Sequence, residues 1–530
     1  MGILFESEVT NIACISIFTF WLMFVYFVKN YDYWRIRGVP YVPAWFPLGS
    51  LPQLVFGRVH YTSAIDQAYK QFSHDRFIGI IEVRSPILII KDPDLIKEIL
   101  SKKFNQFTDR YIPDMNSKSD YLNHNLFTMK GNEWKVMRMK LTPAYTVCKM
   151  KMMFFLVKQC SDQLRKAVEE KTDICNVVEV NDIVLRFIMD VIGSCAFGID
   201  VNTLFSRDSV FYHTTKDIMR KDVPHLLKSY LVKSFPIFHN VSLFTMIKSE
   251  VKEYITNLVH KTVAYRERNE IKRMDFLDLL IKIRQNEIIL DDDEKTSVTN
   301  ENFSTKTRNN KSEGMTLDQM AAETYLFFAA SFESLSSVIV FCLFELSCNQ
   351  SIQNHLFLEI EEILNRFDGT ICFQALQEMT YLDQVINETM RIYPPFPFLN
   401  RVCTKSYKIP ESDVTLEENL GILIPVYSIH HDPKHYPEPD LFDPERFSPE
   451  NCQSRHPYVF LPFGDGPRVC IGMRYSLMMV KTAIVTLVND YAFSLTPDTQ
   501  VPPKINSRSL VLQPSQPLHL VLNHRRHKPV

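Results

Sequence analysis

At 530 residues, 46% apolar and 23% charged, the chain has the composition of a globular protein with a large core, not of a disordered one. Its net charge of −2 gives no support to nucleic-acid binding through phosphate contacts. The 11 cysteines include no Cys-x-x-Cys pair, so neither a zinc site nor a disulfide framework is indicated, and free thiols facing the cytosol fit better.

The N-terminus carries an apolar run, Ile12 to Val28, with Glu6 and Glu8 before it and Lys29, Arg35 and Arg37 after it. As a helix it would span about 26 Å, close to the hydrocarbon thickness of the endoplasmic reticulum. A cleaved signal peptide would carry its positive charge first. The basic flank instead predicts a single-pass anchor over 1–30 with the rest of the chain in the cytosol. The sequons at Asn240, Asn302, Asn310, Asn349 and Asn387 should then be unglycosylated. Prolines 40, 43 and 47 make residues 31–50 a stiff connector, and a globular domain is expected over 51–530.

Ile78 to Ile90 reads as a hairpin, and Asp92-Pro93 caps the helix after it. Gly131 to Leu141 reads as a helix with Trp134 and Arg138 on one face, in a neighbourhood made basic by Lys135, Lys140, Lys149 and Lys151. Helical periodicity dominates from Gln159 to Gln285, interrupted by an apolar break, Leu231 to His239, that is either core or a loop dipping into the bilayer. Residues 290–314 are polar and charged, which predicts a disordered surface loop. Thr316 and Gln319 form a capping-box start for an unusually long helix to about Cys348, apolar nearly all round, as suits one crossing a core. Glu388 and Arg391 lie three apart on a helix that Pro394-Pro395 ends.

Near the end, Phe463 to Gly472 reads FGDGPRVCIG and holds three of the chain's 14 glycines, Gly464, Gly466 and Gly472. Glycine allows positive φ and close main-chain approach, so this is a tight loop presenting Cys470. Arg468 puts a cation in the same loop, and the helix beginning at Met473 brings N–H groups and a dipole that favour a thiolate.

The pattern Phe-x-x-Gly-x-Arg-x-Cys-x-Gly resembles the haem-binding loop of the cytochrome P-450 family at Phe463, Gly466, Arg468, Cys470 and Gly472. Three further motifs resemble that family in the expected order. Trp134-x-x-x-Arg138 matches its propionate-binding helix, as Arg401 matches a propionate-binding position. Glu388-x-x-Arg391 with Arg446 of Pro444-Glu-Arg-Phe447 matches its buried charge network. Ala330-Ser-Phe-Glu-Ser334 resembles its oxygen-activation segment, with Ser331 in place of the usual glycine and Ser334 in place of the threonine.

The resemblance implies a mainly α fold with smaller β-sheets, and haem b on the Cys470 thiolate, with Arg468 and the loop N–H groups bonded to the sulfur and anchoring the haem. It implies a monooxygenase using dioxygen and electrons from NADPH through a reductase, with cytochrome b5 as a second candidate donor. Glu333 and Ser334 would relay protons, and Phe127, Phe328, Ala330, Phe396 and Phe398 would line the pocket for an apolar substrate. Segments such as Arg37-Gly-Val-Pro40, Lys140-Leu-Thr-Pro143 and Asp190 to Gly198 resemble the insect microsomal group that handles plant toxins and insecticides. The alternatives are a haem-thiolate isomerase or dehydratase, and a non-catalytic binder of haem or an apolar ligand.

Overall fold

The computed structural model describes residues 2–55, 57, 59–112, 121–206, 211–213, 215, 223–235, 237–238, 247–285 and 314–525. The loop expected over 290–314 lies outside these residues except for Gly314, as do Asn240, Asn302, Asn310 and the end of the apolar break at His239.

Among the described residues, two helices are long and apolar enough to cross a membrane. In the first, Gly2–Val28, only 6% of the apolar window is buried; in the second, Leu317–Cys348, 67% is. One composition thus serves two solvents, a helix surface open on all sides and a protein core. The second is the 32-residue helix that the capping box starts, with both Thr316 and Gln319 bonds formed. The helices Val147–Thr172, Val180–Ile192, Ser249–Asn269, Thr380–Ile392 and Met473–Asp490 share its large core cluster.

The sheets are small. The hairpin forms as β1 (Phe77–Glu82) and β2 (Ser85–Ile90), joined to β4 (Leu399–Val402) and β7 (Gly421–Ile424) in the order β1-β2-β7-β4. β2 and β7 are parallel, Ile87 opposite Gly421, while β4 runs antiparallel to β7 with Arg401 opposite Ile422. Ile78, Ile80, Ile87 and Ile89 fill one face of this sheet and Ile81, Leu88 and Ile90 the other. Burial on both faces is why these strands read as unbroken apolar runs. A second sheet, β3 (Val177–Glu179), β9 (His519–His524) and β8 (Tyr491–Leu495), places a strand inside the stretch expected to be helical. Its pairing partner lies over 300 residues away, beyond the reach of local periodicity.

The connector is pinned to the first sheet. Trp34 is fully buried and its Nε1 donates to the Ile80 carbonyl at 2.9 Å. Gly79 makes room for it, since a Cβ there would meet the indole at 2.3 Å. Tyr41 bridges to Gly79 and Gly49 to Glu82, so the proline segment lines the sheet edge. The apolar break is helical as far as Ser234, within the helix Val223–Ser234. Phe235 then packs on Tyr26 and Phe27 at the base of the N-terminal helix, and the Tyr26 hydroxyl donates to the Ser234 carbonyl at 2.9 Å.

Candidate active site

One cavity of about 950 Å³ runs from Cys470 along the Leu317–Cys348 helix to Glu82 and Lys233, at the upper end of the range for small-molecule sites. Its floor is the cysteine loop. The Cys470 N–H donates to the Phe463 carbonyl at 3.0 Å and the Val469 N–H to that of Gly466 at 2.9 Å. Gly466 has φ +71°, and a Cβ there would collide with the Leu100 carbonyl oxygen at 1.9 Å. Asp465 Oδ1 ties the loop down by accepting from Ser101 at 3.0 Å and Tyr458 at 3.1 Å. Gly472 differs: its φ is −87° and a Cβ would meet nothing closer than 3.9 Å. Among the described residues neither backbone strain nor close packing requires glycine there; Gly472 is the N-cap of the helix Met473–Asp490.

Cys470 is exposed and lines the cavity. Desolvation by the surrounding protein raises its thiol pKa, opposed by the Gly472 N–H and then by Arg138 and Arg110. The expected helix-terminus N–H is therefore present, but the expected cation is not Arg468. Its Nε donates to the Thr108 carbonyl at 2.9 Å, Nη1 to Leu126 at 3.4 Å and Nη2 to Met129 at 2.7 Å. The guanidinium also lies 4.1 Å over the Trp134 ring. These bonds commit the guanidinium to backbone carbonyls, so the expected bond to sulfur is replaced by a clamp on the loop from Thr108 to Met129.

Above the loop, Arg110, Arg138, Arg401 and Arg468 converge. Burial first, and then neighbouring arginines, push Arg401 down to about 9 and Arg468 to about 8; burial also takes Arg110 to about 10 and lowers Arg138, both opposed by the Cys470 sulfur. Guanidinium keeps its proton in proteins, so all four side chains stay cationic in desolvated surroundings. Asp109 is the one carboxylate within salt-bridge distance of the group among the described residues, 3.8 Å from Arg468. Arg401 Nε is buried without a hydrogen-bond partner. The cluster calls for an anion beside a cysteine sulfur and an apolar cavity. A haem with two propionates fits those requirements. Arg110 was not singled out in the sequence; Thr108-Asp109-Arg110 gives no local periodicity that marks it.

Behind the loop, Glu388 and Arg391 are completely buried, with Arg391 Nε 2.7 Å from Glu388 Oε2 and Nη2 2.8 Å from Oε1. Arg446 Nε stands 3.5 Å from Glu388 Oε1, which also accepts the Asp443 N–H at 2.9 Å. Burial raises the Glu388 pKa and Arg391 opposes it. Arg391 Nη1 donates to the His430 carbonyl at 2.9 Å. His430 Nε2 accepts the Leu461 N–H at 3.0 Å, which leaves Nδ1 to donate to the Arg391 carbonyl at 3.2 Å. Burial lowers the His430 pKa well below its ordinary value, keeping it neutral. The network thus reaches the segment leading into the cysteine loop through a histidine that the sequence reading missed.

On the roof, Ala330, Ser331 and Ser334 face the cavity, and the Ser334 hydroxyl donates to the Ala330 carbonyl at 2.5 Å. Glu333 is half-buried on the neighbouring face of the helix and does not line the cavity. Trp134, Arg138, Arg401, Phe463, Phe127, Phe396 and Phe398 do line it. Phe328 does not: it is 1% exposed and packs against Phe197, Phe211 and Phe332. Two residues from Ala330 is a rotation of about 200° on a helix, so the wall residue is Phe327.

The family model described as Cytochrome P450 matches residues 39–521. "Probable cytochrome P450 6a14" of Drosophila melanogaster is 37% identical over 504 residues, covering 93% of this chain and 95% of that protein. "Cytochrome P450 6a2" of the same organism is 36% identical over 491 residues, 91% and 94% of the two chains. "Cytochrome P450 6k1" of Blattella germanica is 34% identical over 495 residues, 92% of each. The chain belongs to the cytochrome P450 family, the haem-thiolate monooxygenases.

Proposed function

We propose that the protein is a membrane-anchored monooxygenase that takes electrons from NADPH through a reductase and oxidises apolar small molecules, xenobiotics among them. The observation that supports this most is the junction of an apolar cavity, a cysteine sulfur and four arginines short of negative charge. Arg138, Arg401 and Arg110, with the Trp134 indole, hold the propionates, and Cys470 supplies the metal ligand. Bound there, thiolate-ligated haem iron supplies the reductive cleavage of dioxygen. One oxygen atom enters the substrate and the other leaves as water, with two electrons and two protons consumed.

The Ser334 hydroxyl passes protons across the roof, releasing its bond to the Ala330 carbonyl to donate into the cavity, and Glu333 supplies the acid from the adjoining face of the helix. Phe127, Phe396, Phe398 and Phe327 exclude water from the reacting side, and Gly472 leaves the floor flat. Glu388, Arg391 and Arg446 fix the loop and take no part in the chemistry.

The Gly2–Val28 helix anchors the chain in the endoplasmic-reticulum membrane, residues 31–50 seat it on the body, and 51–530 form the cytosolic haem domain. The basic neighbourhood of Lys135, Lys140, Lys149 and Lys151 is the docking face for an acidic electron donor, reductase or cytochrome b5. The test is the carbon-monoxide difference spectrum of the dithionite-reduced, membrane-expressed protein. A strongly red-shifted Soret band, lost in Cys470→Ser, is expected. A band at the position of histidine-ligated haem in folded protein overturns the assignment.

A further inference from the structure

The Leu317–Cys348 helix carries a carboxyl that the reaction does not use. Glu323 precedes Ala330 by seven residues and Ser334 by eleven, so all three share a face, the first pair about 10.5 Å apart along the axis. Glu323 lines the same cavity as Cys470, yet is only 3% exposed. Its Oε1 accepts the Leu126 N–H at 2.8 Å. Its Oε2 has no hydrogen-bond or ion-pair partner among the described residues; Leu126, Phe127, Leu326 and Phe327 line the same cavity, as does Tyr145, whose hydroxyl feels the Glu323 charge.

We propose that Glu323 is a specificity residue of this cavity, pairing its free carboxylate oxygen with the cationic nitrogen of an apolar amine substrate. The inference rests on the monooxygenase reading and names its substrate class. A carboxyl in apolar surroundings settles either by keeping its proton or by meeting a cation. Burial raises this one to about 8, opposed only by the Leu126 N–H, and no protein cation contributes. The arginines lie at the Cys470 end, where the propionates neutralise them. A neutral hydroxyl or carbonyl ligand would gain one ordinary hydrogen bond here. An ammonium gains a charge-assisted bond, roughly twice as strong, and its hydrocarbon body meets the apolar wall.

The test is equilibrium dialysis of the haem-loaded full-length protein with dimethyl(phenylbutyl)amine and with its carbon isostere, in which CH replaces the nitrogen. Glu323→Gln keeps the shape and an acceptor for Leu126. It should weaken the amine about 10-fold, or about 1.4 kcal/mol, and leave the hydrocarbon within about 2-fold, while Glu323→Asp retains part of the amine preference. Equal weakening of both ligands, or no weakening of the amine, overturns the proposal. If Glu323→Gln does not hold haem, the wild-type protein decides, since an unpaired amine enters an apolar cavity less readily than its isostere: a hydrocarbon preference overturns the proposal, an amine preference supports it. A red-shifted carbon-monoxide band alongside a failed dialysis result leaves the haem-thiolate reading standing, so the two failures are distinct.

Discussion

The two sides of the cysteine loop treat polar groups in opposite ways. Behind it, the Glu388–Arg391 pair is saturated: Glu388 uses both oxygens and Arg391 uses Nε, Nη1 and Nη2, all on protein partners, although Arg446 Nε beside it, 3.5 Å from Glu388 Oε1, is buried without a hydrogen bond. In front of it, Arg401 Nε is buried without a partner, and Glu323 Oε2 has none among the described residues. A saturated network has one low-energy arrangement and therefore positions its neighbours. An unsaturated one holds free energy that only a bound group recovers. The difference separates the scaffold from the site by chemistry alone, and each side makes its own prediction.

The largest effect belongs to the saturated side. Arg391→Ala leaves Glu388 with the Asp443 N–H at 2.9 Å and Arg446 at 3.5 Å, and removing one member of a buried pair costs about 3–5 kcal/mol. Expression trials should recover little haem-loaded protein. A yield and melting temperature close to wild type would show that Arg446 alone suffices, and would weaken the contrast.

On the unsaturated side, Glu323 should destabilise the ligand-free protein as pH rises. Its acid titrates near 4.5 when unfolded and about 8 when folded. Below about pH 4.5 both states are protonated and the group is neutral to stability. Between there and about 8 the unfolded state loses its proton first, so stability falls, and above 8 the loss is complete. At neutral pH the penalty is on the order of 3 kcal/mol. Melting curves of the haem-loaded protein at pH 5.5 and 8 should therefore converge in Glu323→Gln by a margin of several degrees. An unchanged difference would mean that the carboxyl is not desolvated.

Arg401 sharpens the comparison because its sign depends on what is bound. Arg401→Ala removes a cation from a repelling cluster and should raise the melting temperature of haem-free protein. On the proposed propionate role it would also remove a partner worth about 1.5–3 kcal/mol, so haem transfer to an excess of a haem-scavenging protein should accelerate at least about 10-fold. Opposite signs in the two states are expected; a loss in both would place Arg401 with the scaffold.

How much of this was legible in the sequence depends on whether a role is set locally. The cysteine loop, Trp134 with Arg138, and Glu388 with Arg391 are each defined within ten residues, so a short spacing that resembles a family motif was enough to single them out. Asp92-Pro93 and the Thr316–Gln319 box cap their helices for the same reason. Arg110, His430 and Glu323 act through chain segments far away in sequence: Leu126 lies 197 residues from Glu323, and Leu461 lies 31 from His430. No local pattern carries that information. Arg468 was placed correctly in the loop but aimed wrongly, because its partners, the carbonyls of Thr108, Leu126 and Met129, lie more than 330 residues back. Phe328 failed on helical phase alone, for the face of the helix turned to the cavity is fixed by packing against Phe197 and Phe211.

The smallest effect tests whether the cavity's far end belongs to either class. Lys233 Nζ lies 2.8 Å from Glu82 Oε1, their side chains 39% and 18% exposed, and both residues line the cavity. This pair joins the Val223–Ser234 helix to β1 across that end. Being partly solvated, it should add no more than about 1 kcal/mol to stability, so Lys233→Ala should leave the melting temperature nearly unchanged. If the pair bridges the route by which substrates enter, the same substitution should speed ligand association in stopped-flow measurements and dissociation equally, with Kd constant. Equal acceleration of both rates marks a barrier lowered without a change in the bound state, whereas a shift in Kd would assign Lys233 to the binding wall beside Glu323.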